Sequence, residues 1–329
     1  LAASRQIGCG VGIQSRRRGR IHTDRQRESR LYRRRHRQSV CDRPKKRRTT
    51  VAEILRHRLL VSPIYSDGRL VISDWDGKVY LLSADDGKEL WTHETQSEIN
   101  GSPTIHEDKV LVASSDAKLY CFRLQTGEPV WTYEADDQIQ CSPTVAGDNT
   151  FLGGCDGKLH VVDLKTGKSA GETLPLDGPT GSTPAILNDV AIVPTYGGCV
   201  FAFDWKNAKQ LWKYEDFEQA QEYRTSAAIK DEIVIVLSER KQIDALNLRT
   251  GKRLWRRTVR RGANASPVIA GSDVWIADSK GLLLRLSLQD GSEKWSYEVR
   301  GDFIGGVAVT DSELFVADDD GILRCFRSK

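Results

Sequence analysis

The sequence predicts an all-β protein, a seven-bladed β-propeller in which each blade is a four-stranded antiparallel sheet. The main observation is a repeat of about 40 residues that runs from residue 51 to residue 329. Repeats of this length built from short strands are typical of propellers, with one blade in each repeat. Two residue patterns keep the same period: a tryptophan near the end of the repeat and a Ser-Pro pair near its start.

Each tryptophan of the repeat follows a turn residue by four positions. The tryptophans are Trp91, Trp131, Trp212, Trp255 and Trp295, after Gly87, Gly127, Ala208, Gly251 and Gly291. The Ser-Pro pairs begin at Ser62, Ser102, Ser142 and Ser266, with Thr183-Pro184 and Ser226-Ala227 as variants. The proline position recurs at 63, 103, 143, 184, 227, 267 and 307, with spacings of 40, 40, 41, 43, 40 and 40. These seven positions predict seven blades.

The second repeat shows how one blade is built. Pro103 starts the first strand, because proline lacks an N–H and is tolerated where a strand begins. The run 110–113 is continuously apolar, which predicts a second strand covered on both faces. The third strand is expected at 118–122 and the outer strand at 129–133. Other repeats place Asp-Gly between the second and third strands, a pair that supplies the positive φ angles of tight hairpins.

The regular tryptophans have a structural interpretation and a functional one. A large flat ring at a fixed place in the outer strand can pack over the turn of the next blade, burying on the order of 150–250 Å². The alternative is that the rings form aromatic binding platforms; their regularity favours packing. In the third repeat Gly171 stands where the tryptophan is expected, so we expect a looser seam after that blade.

Residues 1–50 differ sharply from the rest of the chain. They hold 17 Lys and Arg against 3 Asp and Glu, a net charge of +14, which leaves −10 for 51–329 because the whole chain is +4. Few apolar residues are present, so we expect a disordered basic tail. Such a tail is either an arm for nucleic acid or acidic surfaces, or a solvated or artefactual segment. The propeller itself is not expected to bind nucleic acid.

The last repeat ends before its outer strand. By register, 51–57 aligns with an outer strand and is expected to complete that blade, closing the ring through the two ends of the chain. An eighth blade would require sequence upstream of the tail. The chain has no run of 18 or more apolar residues, so no transmembrane helix is expected, and no signal peptide is visible in it.

The cysteines do not predict a metal or redox motif. The seven of them include no Cys-x-x-Cys pair and no Cys/His cluster. Cys121 and Cys325 occupy equivalent repeat positions in different blades, and we expect both to fill the core as small apolar residues. The odd number without paired spacing disfavours a disulfide framework.

A family resemblance rests on the turn and tryptophan motif. It is carried by Asn247-Leu248-Arg249-Thr250-Gly251-Lys252-Arg253-Leu254-Trp255, with looser copies at 85–91 and 125–131. Together with the Ser-Pro pairs and Asp76-Gly77-Lys78-Val79-Tyr80, this resembles the pyrroloquinoline-quinone (PQQ)-type repeat propellers over 51–329. WD repeats differ, since Trp75-Asp76 is the single Trp-Asp pair here.

Two branches share this repeat, and the resemblance favours the non-enzymatic one. That branch is similar to BamB-type outer-membrane assembly proteins and to kinase-associated propellers. It implies a monomeric protein-binding scaffold without a cofactor, located in the cell envelope or periplasm. The alternative is a PQQ-dependent dehydrogenase that oxidises alcohols or sugars. Many of those enzymes carry an adjacent Cys-Cys pair above the cofactor, and this chain has none.

A binding site is expected where the inner strands open into the central channel. The residue three before each proline position stands there, and the polar occupants are Asn100, Gln140, Arg224 and Asn264. One interpretation is a polar funnel in which Arg224 holds a small anion or a peptide carboxylate. The alternative is an ordinary water-filled channel mouth.

The turns between the second and third strands share that face of the predicted propeller. They carry many carboxylates, among which Asp278, Asp318 and Asp319 are our candidates for an exposed acidic rim that attracts the cationic segments of a protein or peptide partner. The alternative is turn chemistry, since aspartate is a common turn residue. No metal site is predicted, because no ligand spacing supports one.

Overall fold

The computed structural model describes residues 61–216, 221–259, 265–299, 301–303, 305–319 and 322–327. Within these ranges the regular structure is all β, with no helix. The strands form seven sheets, each an antiparallel meander in which strands adjacent in sequence are neighbours in space. The predicted seven-bladed propeller is confirmed.

The strands of the first four blades follow the repeat. Blade 1 contains β1 (Ile64–Ser66), β2 (Arg69–Ser73), β3 (Lys78–Ser83) and β4 (Glu89–Glu94). Blade 2 contains β5 (Thr104–His106), β6 (Lys109–Ala113), β7 (Lys118–Arg123) and β8 (Pro129–Glu134). Blade 3 contains β9 (Thr144–Ala146), β10 (Asn149–Gly153), β11 (Lys158–Asp163) and β12 (Leu174–Pro175). Blade 4 contains β13 (Ala185–Leu187), β14 (Val190–Pro194), β15 (Cys199–Asp204) and β16 (Lys209–Glu215).

The remaining strands form three further sheets. Blade 5 contains β17 (Ala228–Lys230), β18 (Ile233–Leu237), β19 (Gln242–Asn247) and β20 (Arg253–Thr258). Blade 6 contains β21 (Val268–Ala270), β22 (Asp273–Ala277), β23 (Leu282–Ser287) and β24 (Glu293–Glu298). Blade 7 shows β25 (Ala308–Val309), β26 (Glu313–Ala317) and β27 (Leu323–Arg327). The strand expected at 51–57 and the tail expected at 1–50 lie outside the described residues.

The core lies between the faces of adjacent blades. In β6 the four residues Val110–Ala113 are all completely buried, as the continuous apolar run predicts. Clusters of buried side chains then join one blade to the next, and the largest joins blades 4 and 5. The cysteines of equivalent repeat positions, Cys121 and Cys325, are buried, which agrees with a packing role.

A chain of hydrogen bonds joins the inner strands of six blades. The backbone N–H of each Ser or Thr in the Ser-Pro position donates to the hydroxyl of the next one. The five bonds are Ser62 to Ser102 (3.0 Å), Ser102 to Ser142 (2.8 Å), Ser142 to Thr183 (3.1 Å), Thr183 to Ser226 (2.9 Å) and Ser226 to Ser266 (3.0 Å). The hydroxyl of the repeated serine therefore locks neighbouring blades at a fixed spacing. In blade 7, Gly306 occupies this position and has no hydroxyl to offer.

Four seams in the described part of the chain are closed at their outer edge by the ring of a repeat tryptophan. Trp131 of blade 2 donates its indole N–H to the carbonyl of Leu164 in blade 3 at 3.0 Å. The ring lies over Gly167, where an added Cβ would come within 2.5 Å of it. The same pairing joins Trp91 to Leu124 and Gly127, Trp212 to Leu248 and Gly251, and Trp255 to Leu288 and Gly291.

The seam between blades 3 and 4 uses a different arrangement. Blade 3 has Gly171 in place of tryptophan, and β12 is only two residues long. Trp205 of blade 4 stands where the other blades have the leucine that accepts the indole hydrogen bond. Its ring packs edge-on against Phe151 of blade 3, with the ring centroids 5.0 Å apart. Since no indole covers the turn of blade 4, Ala208 is accommodated there at a φ of +50°. The seam expected to be looser is thus packed from its other side.

The described part of the chain contains no helix with the length and apolar character needed to cross a membrane.

Candidate functional site

One end of the propeller axis is built by a repeated backbone contact. In five of the blades, as far as the structure describes them, a residue in the turn between the second and third strands donates its N–H to a carbonyl before the inner strand of the same blade. The donors are Ser115, Cys155, Tyr196, Glu239 and Asp319, with donor–acceptor distances of 2.8–3.1 Å. These five turn residues, with Asn100, Gln140 and Arg224, are here called the channel rim. The contact brings the turns and the strand openings to one face, as the sequence predicts.

Asn100 and Gln140 are half-buried members of the channel rim. The amide of Asn100 donates to the hydroxyl of Ser115 at 2.9 Å. The amide of Gln140 donates to the side-chain oxygen of Gln138 at 3.3 Å. Each side-chain amide therefore makes a local hydrogen bond within its own blade. Asn264, the fourth polar residue expected here, lies outside the described residues.

Arg224 is the centre of an exposed cluster on the channel rim. Its guanidinium contacts Glu222 at 2.7 Å and Glu239 at 3.1 Å, and the arginine side chain is 59% exposed. The hydrogen bond to Glu222 is the main cause of a raised pKa for Arg224. The guanidinium also lies 5.6 Å from the ring centre of Tyr196 in blade 4. Arg224 is thus shared between two carboxylates and held against an aromatic face.

Gly181 makes room for the ring of Tyr196. It occupies the strand opening of blade 4, and a Cβ added there would come within 2.1 Å of the Tyr196 hydroxyl. The same Cβ would be 3.6 Å from Gln140, so Gln140, Tyr196 and Arg224 form one continuous surface across blades 3, 4 and 5. Burial is the main cause of a raised pKa for Tyr196, so its hydroxyl stays neutral.

Two of the three candidate rim carboxylates do not lie on the surface, which corrects the expected exposed acidic rim. Asp278 is 1% exposed and Asp318 is 0% exposed. Asp318 accepts a hydrogen bond from the N–H of Ile322 at 2.9 Å and forms an ion pair with Arg324. The expectation failed because these aspartates fold back to hold their own hairpins, which is the turn chemistry given above as the alternative.

Asp319 is exposed, as expected. Its carboxylate accepts the N–H of Asp302 at 2.8 Å, and its own N–H donates to the carbonyl of Asp302. Asp319 and the Glu222–Arg224–Glu239 cluster therefore give the channel rim its surface charge in blades 5 and 7.

Sequence reasoning missed Tyr196, Cys155, Glu222 and Glu239. Three of them share a signal: the residue twelve after the proline position is the rim donor, and it recurs as Cys155, Tyr196 and Glu239. Glu222 stands five before the proline position, where the carbonyl accepts that N–H, but only its contact with Arg224 identifies its side chain as part of the site. No group of three His, Cys, Asp or Glu side chains that could hold a metal occurs among the described residues.

Comparisons with known proteins agree with this architecture. A family model described as outer membrane protein assembly factor BamB matches residues 37–175 and 173–329. The crystal structure of BamB from Moraxella catarrhalis is similar with a TM-score of 0.72 and 23% identity, covering 83% of this chain and 84% of that chain. The computationally designed Ika8 protein is similar with a TM-score of 0.71 and 15% identity, covering 80% and 82%.

At these identities the two structures show a shared fold alone. The sequence has no match among curated proteins. The first family match begins at residue 37, inside the segment expected to be a tail. Because the two matches together span most of the chain, the protein belongs to the BamB family of outer membrane protein assembly factors.

Proposed function

We propose that this protein is a non-catalytic scaffold that captures a partner protein on the channel rim. Family membership supports the assembly role and a location in the cell envelope. The observation that carries the proposal is the cluster of Tyr196, Arg224, Glu222 and Glu239. Exposed ion pairs contribute little to the free energy of folding, so this cluster is not needed to hold the blades together.

The residue types of the cluster suit a protein interface. Tyrosine and arginine are enriched among the residues that dominate binding energy at interfaces. Both are presented here by turns on a rigid scaffold, the usual location of recognition residues. Tyr196 is also fixed by its close approach to Gly181, so little conformational entropy is lost when a partner covers it.

The charge of the cluster indicates the chemistry of the partner. Arg224 brings one positive charge, and Glu222 and Glu239 bring two negative charges. A peptide carboxylate would have to displace one of these glutamates, whereas a basic side chain can join them. We therefore propose a partner segment with basic and aromatic side chains in place of the anion first expected at Arg224.

Site-specific photo-crosslinking tests the proposal. A photoreactive residue at position 196, in cells that make the protein, is expected to trap a discrete partner that mass spectrometry identifies. The matched control is position 165, where Lys165 is exposed in a turn between the third and fourth strands at the opposite end of the blades. Adducts at 165 alone, or equal adducts at both positions, would contradict the choice of face.

The variant Arg224→Ala then measures the contribution of the cluster. Capture of the partner found by crosslinking is expected to weaken about tenfold or more, as for a hydrogen-bonded interface charge. Lys165→Ala should leave capture unchanged. Equal affinity for the Arg224→Ala variant and the wild type would remove Arg224 from the interface.

A further inference from the structure

In four blades, an aspartate in the turn after the second strand forms a hydrogen bond or an ion pair with a polar side chain at the centre of the third strand. The hydroxyl of Tyr80 donates to Asp74 at 2.9 Å, and that of Tyr120 donates to Asp116 at 2.7 Å. His160 bonds Asp156 at 2.9 Å, and Arg324 forms an ion pair with Asp318. The partner occupies the same repeat position in all four blades, seventeen residues after the proline position.

Blade 6 departs from this rule. The central position of its third strand is Leu284, which is apolar and 4% exposed. One oxygen of Asp278, Oδ1, accepts the N–H groups of Lys280 and Leu282, both at 2.8 Å. The other oxygen, Oδ2, is buried and has no hydrogen-bond partner among the described residues. An unpaired buried carboxylate oxygen costs folding free energy unless something else satisfies it.

A cavity of about 510 Å³ lies beside Asp278, between the outer strand of blade 5 and blade 6. Asp278 forms part of its wall, together with the apolar side chains of Val259, Leu282 and Leu284. Its volume is within the range of small-molecule sites in proteins, roughly 300–1,000 Å³. The rest of the wall is polar or charged and includes Arg257, Lys280, Glu293 and Glu298. The cavity therefore combines an apolar patch with one unsatisfied, desolvated acceptor.

The described cations around the cavity are engaged elsewhere. Arg257 forms an ion pair with Glu293 at 2.7 Å, and its guanidinium also donates to the carbonyl of Gly291. Lys280 forms an ion pair with Asp302 at 3.0 Å. In two other blades, a tyrosine at the position of Arg257 in the outer strand bonds the central residue of the next blade's third strand: Tyr133 bonds His160, and Tyr214 bonds Asp244. Arg257 replaces that tyrosine and pairs with Glu293, and both residues line the cavity.

We propose that this cavity binds an organic cation, a guanidinium or ammonium group on an alkyl stem. The cationic N–H group donates to Oδ2 of Asp278, and the stem packs on Val259, Leu282 and Leu284. Blade 7 contains the intramolecular version of the same contact, in which Arg324 satisfies Asp318. The source of the cation is either an arginine or lysine side chain of a protein segment or a free small amine. The site stands independently of the channel rim.

The direct test uses butylguanidinium as the probe and 1-butanol as an uncharged probe of the same chain length. Calorimetry and ligand-observed NMR are expected to show saturable binding of butylguanidinium and none of 1-butanol. Asp278→Asn keeps an acceptor for the two turn N–H groups but removes the charge. This variant is expected to bind butylguanidinium about tenfold or more weakly, as for a lost charge-assisted hydrogen bond.

A second variant fills the site with the protein's own cation. Leu284→Arg places a guanidinium where blade 7 has Arg324, so butylguanidinium binding should be lost and the melting temperature should rise. Leu284→Met is the matched control, an apolar change of similar volume, and should keep binding within about twofold of wild type. Absence of binding to the wild-type protein would overturn the proposal. Unchanged binding in Asp278→Asn, or in Leu284→Arg where that variant folds, would also overturn it.

Peptide competition distinguishes the two sources of the cation. A capped Gly-Gly-Arg-Gly-Gly peptide that displaces butylguanidinium would identify a partner side chain as the occupant, with the lysine peptide as the ammonium comparison. Displacement by free agmatine but by neither peptide would identify a small amine. Either result supports the site, whereas equal binding of 1-butanol and butylguanidinium would show a merely apolar cavity and contradict it.

Discussion

The indole of Trp131 lies directly over Gly167 of the next blade, so close that a Cβ on Gly167 would come within 2.5 Å of the ring. The glycine has a φ of +68°. Two separate requirements therefore exclude other side chains here: the left-handed backbone and the ring above it. In the sequence motif, a glycine is followed four residues later by a tryptophan. The glycine lies under the tryptophan of the preceding blade, and the tryptophan packs over the glycine of the following blade.

Alanine at Gly167 is expected to be more destabilising than alanine at Gly147. Both glycines have positive φ, +68° and +58°, but an added Cβ on Gly147 meets nothing within 4 Å. Backbone strain of about 1–2 kcal/mol applies to both. Gly167→Ala should lose about 1–3 kcal/mol more through overpacking against the indole. Urea unfolding of the two variants measures this difference, and equal losses would mean that the ring moves aside freely.

Trp205→Leu is expected to destabilise the protein although leucine is the residue that the other seams use. No tryptophan from blade 3 covers this place, so leucine would leave unfilled space against Phe151. We expect a loss of roughly 1–3 kcal/mol in the free energy of unfolding. Lys206→Ala is the control, since Lys206 is exposed, lies 5.5 Å from the centre of the Trp205 ring and otherwise makes an exposed ion pair with Asp189, which contributes little to stability. A Trp205→Leu protein as stable as this control would show that the seam needs no aromatic filler.

Asp318 and Asp319 are adjacent in sequence, but substitution by asparagine should cost much more stability at Asp318 than at Asp319. Asp318→Asn breaks a buried ion pair with Arg324 and should cost roughly 3–5 kcal/mol of stability. Asp319→Asn changes an exposed side chain and should cost about 1 kcal/mol or less. We expect Asp319→Lys, in contrast, to weaken capture of a basic partner at the channel rim. Thermal unfolding gives the first comparison, and a large loss from Asp319→Asn would contradict it.

Acid should weaken the protein partly through Asp273. Burial alone would raise the pKa of this carboxylate, but hydrogen bonds from Lys294 and Arg285, at 2.5 and 2.7 Å, outweigh burial and lower it. A lowered pKa stabilises the fold at pH values above the unfolded-state pKa of about 3.9. This stabilisation is lost as the pH falls through the lower folded-state pKa.

The difference in unfolding free energy between wild type and Asp273→Asn should therefore shrink as the pH falls below about 4. Urea titrations at a series of pH values from 6 downward measure this difference. A difference that stays constant over the acid range would show that Asp273 is not the titrating group.

The protein is expected to lack quinoprotein dehydrogenase activity. Reconstitution with PQQ and Ca²⁺, followed by dye reduction with alcohols or aldose sugars, tests this directly. A known quinoprotein dehydrogenase in the same assay serves as the positive control. Turnover above background would contradict the scaffold proposal and favour the enzymatic branch of the repeat family.

The seven blades were predictable from the sequence because their causes are local and repeated. Proline at a strand start, Asp-Gly in a hairpin and an apolar run in a covered strand each act within a few residues of their own position. The spacing of Pro103 and its counterparts therefore reports the blade count directly. Antiparallel strands alternate in direction. The sequence therefore also indicated that the turns between the second and third strands lie at the end of the propeller where the inner strands begin.

The candidate sites depended on contacts between blades, which sequence spacing does not show. Asp318 and Asp319 are adjacent in the sequence, but the hairpin turns one carboxylate inward to Arg324 and leaves the other exposed. The replacement of a missing tryptophan by Trp205 is likewise visible only when blades 3 and 4 are side by side.

The sequence alone thus determined the repeat, the strand order and the family. The tertiary structure decided which polar groups find partners, because each partner comes from a residue elsewhere in the blade or across a seam. Leu284 shows the physical reason: it is an ordinary strand leucine in the sequence, and only in the packed blade does it leave an oxygen of Asp278 without a donor among the residues that the structure describes.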